Sequence, residues 1–185
     1  MPTETPAPKT GFLYDDMYLR HDTGPGHPEQ AARLTAIVKQ LKQDGLNTKL
    51  LMLGSPKPAT QQWLATVHTA EYVQRAQNAW EQGMRFLDSM DVPVSQHSYE
   101  VATRAAGGLL EAVDAVMQGR VTNAFCAVRP PGHHALPDQA MGFCIFNNVA
   151  VATRYVQTHY QLERVLIVDW DVHHGNGTQH LFEAD

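Results

Sequence analysis

The sequence is short of cysteine and of charge. Two cysteines, Cys126 and Cys144, occur among 185 residues. They form no CxxC pair and each sits in apolar sequence, so a disulfide framework is excluded and buried packing is the expected role. Charged residues make up 18% of the chain, with 14 Lys and Arg against 19 Asp and Glu for a net charge of −5. No basic cluster is dense enough to follow a phosphate backbone, which argues against direct nucleic-acid binding. No apolar run approaches the roughly 20 residues that cross a bilayer. The opening Met1-Pro2-Thr3-Glu4-Thr5-Pro6 lacks the charged and apolar regions of a signal peptide. A cytoplasmic protein with no membrane partner is therefore expected. With 43% apolar residues, the chain can bury the core of one ordinary globular domain, and disorder is a poor overall reading.

Residues 1–10 carry three prolines and no apolar period, and read as a flexible lead-in to a strand at Gly11–Tyr14. Leu34, Ile37, Val38 and Leu41 follow helical spacing within a helix expected from Pro28 to about Lys42. Leu50–Leu53 reads as a buried strand, and helices are expected over 61–67 and 70–82. A long helix is expected from Ser98 to Met117, with Val101, Ala105, Leu109, Ala112 and Val116 as its core stripe. Ala124–Val128 and Arg164–Val168 read as buried strands on either side of a helix over Asn148–His159. Strands alternating with helices imply an α/β fold with a parallel sheet.

The strongest local signal is Val165 to Val168 running directly into Asp169-Trp170-Asp171-Val172-His173-His174-Gly175-Asn176-Gly177. Side chains alternate along a strand, so Asp169, Asp171 and His173 would share one face at its carboxyl end, where open α/β sheets collect ligands. Carboxylate oxygen and imidazole nitrogen suit Zn2+, and Asp171 with His173 could supply two ligands. The plainer alternative is a set of acids and histidines facing solvent on a loop. A second signal, Arg129-Pro130-Pro131-Gly132-His133-His134-Ala135, also follows an expected strand. Neighbouring imidazoles suit proton transfer near neutral pH, although a bare pair of histidines also occurs on surface loops. Each ring needs an orienting partner, and Asp169 and Asn176 are the candidates.

These motifs, together with His27-Pro28-Glu29-Gln30 and Gly142-Phe143-Cys144-Ile145-Phe146-Asn147-Asn148, resemble those of the histone deacetylase superfamily. The likeness is to its class II type and the bacterial deacetylase-like amidohydrolases. The resemblance runs from about residue 11 to the end. It implies a three-layer arginase/deacetylase-like α/β fold with a mainly parallel central sheet, of which residues 11–185 are the N-terminal part of a single catalytic domain. It also implies a hydrolase that removes acyl groups from lysine side chains or polyamines. By the same resemblance Asp171 and His173 bind catalytic Zn2+. His134, paired with Asn176, is the general base, and His133, paired with Asp169, acts mainly electrostatically. Gly142 and Phe143 line the acyl-lysine tunnel, and the backbone around Asp169, Asp171 and His173 holds K+ or Na+. His27-Pro28-Glu29 shapes the pocket rim or a subunit contact, and a homo-oligomer is compatible with the family.

The family's third zinc ligand and its oxyanion-stabilising tyrosine lie well after this histidine motif. A chain ending at Asp185 is thus expected to be the N-terminal portion of the enzyme, inactive or nearly so alone, with an exposed apolar sheet edge where a further strand would begin. Two other readings stand beside this one. An arginase-like ureohydrolase would use a pair of manganese ions, and the paired His133-His134 and the Asn at 176 argue against it. A non-catalytic truncated binding module would keep the pocket without completing the metal site.

Overall fold

The computed structural model describes residues 9–185, so most of the expected lead-in lies outside the described residues. Lys9 and Thr10 are already in register with the sheet: the Lys9 carbonyl accepts from the Thr122 N–H at 2.9 Å. Three strands pair in parallel in the order β2-β1-β3, with β1 at Thr10–Leu13, β2 at Leu50–Met52 and β3 at Asn123–Cys126. The helices are α1 (Ala31–Gln43), α2 (Gln61–Leu64), α3 (Ala70–Asn78), α4 (Ser98–Met117), α5 (Asn148–His159) and α6 (Asn176–Phe182). The result is an open parallel α/β sheet with helices packed against it.

Helix α4 does more than present one stripe. Val101, Ala105, Ala112 and Ala115 belong to the cluster that includes Phe12, Leu13, Leu34 and Leu53. On its other side Ala102, Ala106 and Leu110 belong to a second cluster with Leu64, Tyr72, Phe146 and Val151. Small residues allow both close approaches. At Gly107 an added Cβ would lie 2.0 Å from the Lys57 carbonyl oxygen, where the segment before α2 crosses the helix.

Several expectations need correction. Helices α2 and α3 stop at Leu64 and Asn78, short of the expected 67 and 82. Pro28 lies outside α1, which begins at Ala31. The strands β2 and β3 are less buried than their apolar sequence implies: Met52 is 55% and Phe125 46% exposed. The stretch Arg164–Val168 forms no strand. Leu166, Val168, Trp170 and Val172 are 87%, 68%, 92% and 93% exposed, a run of alternate apolar residues in contact with solvent. The reason is hydrogen bonding rather than propensity. A strand exists only against a partner, and an open space of about 550 Å3 separates this stretch from Ala124, Cys126 and Val128. The expected exposed apolar edge is thus present in two parts, β3 and residues 164–172. The chain's last turn is the helix α6, not the start of a strand, because Leu181 and Phe182 pack onto the α5 side of the core.

His68 shows how tightly the loops are tied. Its Nδ1 lies 3.0 Å from the Leu136 carbonyl, and its Nε2 accepts from the Asn147 N–H at 3.0 Å. That pattern requires a neutral ring, and burial pushes its pKa down to about 4. His21, buried against Ser98 and Arg129, is pushed down to about 4 in the same way. Below an unfolded pKa of about 6.5 the unfolded chain takes up protons that the folded chain refuses. Stability is therefore full above that pH and falls as pH drops toward 4. Denaturation midpoints measured across this window should decline, and His68→Gln should flatten the decline.

Candidate active site

The turn after β3 carries His133 and His134, and the stretch before α6 carries Asp169, Asp171 and His173. The His133 Nδ1 lies 2.8 Å from Asp169 Oδ2, and the His134 Nδ1 lies 2.6 Å from Asn176 Oδ1. With Nδ1–H donating in each ring, Nε2 keeps its lone pair as a base. The two rings sit 4.1 Å apart, and His173 lies 6.1 Å from His134, centroid to centroid. Asp169 faces His133 with a full negative charge, whereas Asn176 gives His134 an oriented partner with no formal charge beside it. Burial works to raise the Asp169 pKa, but hydrogen bonds from His133 and the Asp171 N–H outweigh it and the net shift is downward. Asp171 is also lowered, by hydrogen bonds from the His173 backbone and ring.

A cleft of about 540 Å3 collects His133, His134, Asp171, His173 and Asn176 on one side and Pro28, Gly142 and Phe143 on the other. Asp169 lies outside it, behind His133. The walls depend on close backbone approach. An added Cβ at Gly142 would fall 2.1 Å from the His134 ring, and one at Gly177 would fall 2.4 Å from the Ala135 carbonyl oxygen. The second contact brings the start of α6, and with it Asn176, against the histidine turn. Phe143 meets the His27 ring edge-on at 4.7 Å, so the rim segment faces the aromatic wall directly.

Asp171 and His173 are half-exposed and exposed, with their side chains bonded to each other at 2.9 Å. A carboxylate and an imidazole side by side suit zinc as a pair of ligands. Among the described residues no group of three or more His, Cys, Asp and Glu side chains forms that could hold a metal ion. The pair fits such an ion as two of its ligands.

Sequence reading missed two features. Asp91 lines the cleft; its Oδ2 accepts from the Gly142 N–H at 2.9 Å, while its Oδ1 is buried with no hydrogen-bond partner among the described residues. An acid before a proline in a loop gives no such signal in sequence. The other is the buried pair of Glu29 and Arg129. The guanidinium takes both carboxylate oxygens, at 2.8 and 2.7 Å, and also donates to the Tyr18 and His21 carbonyls.

Residues 27–185 match the family described as the histone deacetylase domain. The chain belongs to the histone deacetylase family. It is 39% identical to the histone deacetylase-like amidohydrolase of Pseudomonas aeruginosa over 94% of its own length and 50% of that protein. It is 41% identical to the human polyamine deacetylase HDAC10 over 85% of its length and 24% of that protein. A crystal structure of the HDA15 HD domain superposes with a TM-score of 0.88 at 39% identity, covering 95% of this chain and 51% of that one. The chain thus spans about half or less of the length of these relatives. The deacetylase-type open α/β fold expected from sequence is established by this likeness.

Proposed function

We propose that the chain contributes the histidine-bearing half of a zinc-dependent amidohydrolase that removes acetyl or other acyl groups from lysine side chains or polyamines. The observation that carries this reading is the convergence of two separately oriented imidazoles, His133 with Asp169 and His134 with Asn176, on one cleft with Asp171 and His173. Relatives named as an amidohydrolase and as a polyamine deacetylase support the same class.

Zinc held by Asp171, His173 and a third ligand outside these residues would polarise the acyl carbonyl and lower the pKa of a bound water. His134, through Nε2, takes the proton of the attacking water and returns it to the leaving amine. His133, oriented by the Asp169 carboxylate, contributes mainly electrostatically as the carbonyl oxygen becomes negative. An oxyanion donor is likewise assigned outside residues 9–185. Phe143 and His27 pack the methylene chain of the substrate, whose aliphatic stem suits aromatic walls. K+ or Na+ at the carbonyls near Asp169, Asp171 and His173, cytoplasmic location, homo-oligomerisation and the class II assignment belong to the same proposal.

Asp91 is assigned to substrate binding. A buried carboxylate oxygen without a partner costs about 1–3 kcal/mol, recovered when an N–H of the substrate donates to it. Asp91→Ala should raise KM about tenfold and leave kcat within about twofold. An unchanged KM would remove Asp91 from the substrate site.

The reading is tested by metal content and turnover together. The full-length protein should purify with zinc, lose acyl-lysine amide hydrolysis on chelation and regain it with zinc. Hydrolysis that survives complete metal removal would contradict the zinc assignment. Comparing acetyl-lysine peptides with acetylated polyamines then separates the two substrate classes.

A further inference from the structure

The cleft wall at Phe143 is held in a conformation that its own sequence disfavours. Met141 and Cys144 bridge a tight turn, with the Cys144 N–H donating to the Met141 carbonyl at 2.9 Å. Both central residues have left-handed φ, 56° at Gly142 and 68° at Phe143. Glycine adopts that region freely, but a Cβ-bearing residue such as Phe is strained there. Such a residue persists only where its surroundings over-determine it.

What surrounds it is a set of side chains that bind the backbone leading into the turn. The Asp138 carbonyl accepts from Arg75 Nη2 at 2.6 Å. The Ala140 N–H donates to Asp88 Oδ2 at 2.8 Å, and the Gly142 N–H donates to Asp91 Oδ2 at 2.9 Å. These three contacts tie residues 138, 140 and 142 one after another to side chains of α3 and of the 88–91 loop. Arg75, on α3, also grips Asp88 through Nε at 3.0 Å and Nη2 at 3.2 Å. Asp88 itself has φ 58°, in the left-handed region. Neither Arg75 nor Asp88 lines the cleft.

We propose that Arg75 and Asp88 are positioning residues: their fork-to-carboxylate pair fixes the path of residues 138–142, and so places the Phe143 ring in the substrate slot. This rests on the acyl-lysine reading for what the slot holds, but not for the clasp itself. The pair works through geometry. Lysine at position 75 would keep the charge and lose the two-pronged contact, so it should not restore the wall.

The test uses the full-length protein with Arg75→Met, Arg75→Lys and Asp88→Asn. Asn tolerates left-handed φ, so the last variant removes the charge pair without adding backbone strain. Two readouts are taken: amide hydrogen exchange across residues 137–144, and KM and kcat for an acetyl-lysine amide. Exchange in that segment should quicken about tenfold or more in both Arg75 variants, and less in Asp88→Asn, with the rest of the chain unchanged. KM should rise about fivefold to tenfold with kcat within about twofold. Unchanged exchange in 137–144, or full rescue by Arg75→Lys, would overturn the clasp whether or not the protein turns over any amide. Faster local exchange with unchanged KM would overturn its bearing on substrate. Absence of turnover in the unmutated protein would count against the acyl-lysine reading alone, leaving exchange to decide the clasp.

Discussion

Glu29→Leu should destabilise the protein by about 3–5 kcal/mol, because it leaves the Arg129 guanidinium buried without its counter-ion. Both side chains are 1% exposed, so water cannot replace the lost carboxylate. The double variant Glu29→Leu with Arg129→Met should recover only part of the loss. Apolar replacement of a buried ion pair is often close to neutral, but here it also removes the donor to the Tyr18 and His21 carbonyls. Two orphaned acceptors cost about 1–3 kcal/mol each. Urea denaturation of the three proteins measures this directly. Full recovery in the double variant would mean that the carbonyl contacts contribute nothing. The pair also matters for the site, since Glu29 adjoins the rim residues His27 and Pro28 while Arg129 opens the turn to His133 and His134.

His134→Ala should lower kcat for acyl-lysine amide hydrolysis by about 10²–10⁴-fold, the range for removing a positioned general base. Substrate affinity should change little, because the cleft wall at Phe143 remains. His133→Ala should cost less if its part is electrostatic. Asn176→Leu should approach the His134→Ala value, since the ring would keep its place in the sequence but lose the acceptor that fixes its Nδ1 proton. Equal, small losses in all three would mean that the imidazoles line the cleft without moving protons. Stability of each variant is followed alongside, because the start of α6 packs directly against this turn.

Much of this arrangement is legible in the sequence, and the exceptions have physical causes. Helices α4 and α5 begin and end at the expected residues, Ser98–Met117 and Asn148–His159. Asn147 caps α5 by accepting from the Ala150 N–H. The pairs His133 with Asp169 and His134 with Asn176 are in hydrogen-bonding contact, the pairing that the family resemblance implies. Arg164–Val168 departs from expectation because an apolar run reports what a segment can bury, not whether a hydrogen-bonding neighbour stands beside it. Its exposure and the unpaired side of β3 are two views of one missing contact. Asp91, Asp88 and Arg75 escaped because their role is set by backbone groups some fifty to sixty residues away. No local pattern encodes which carboxylate will meet which amide. The two-sided burial of α4 escaped for a related reason: its Ala and Gly residues carry little hydrophobic signal, yet they allow both cores to close on it.

The most direct test of the central claim is acetate release from an acetyl-lysine amide by the zinc-replete full-length protein, with His134→Ala and His173→Ala measured beside it. The account predicts turnover in the unmutated protein, near-complete loss with zinc retained in His134→Ala, and loss of both turnover and zinc in His173→Ala. Turnover undiminished in His134→Ala, or full zinc content in His173→Ala, would contradict it.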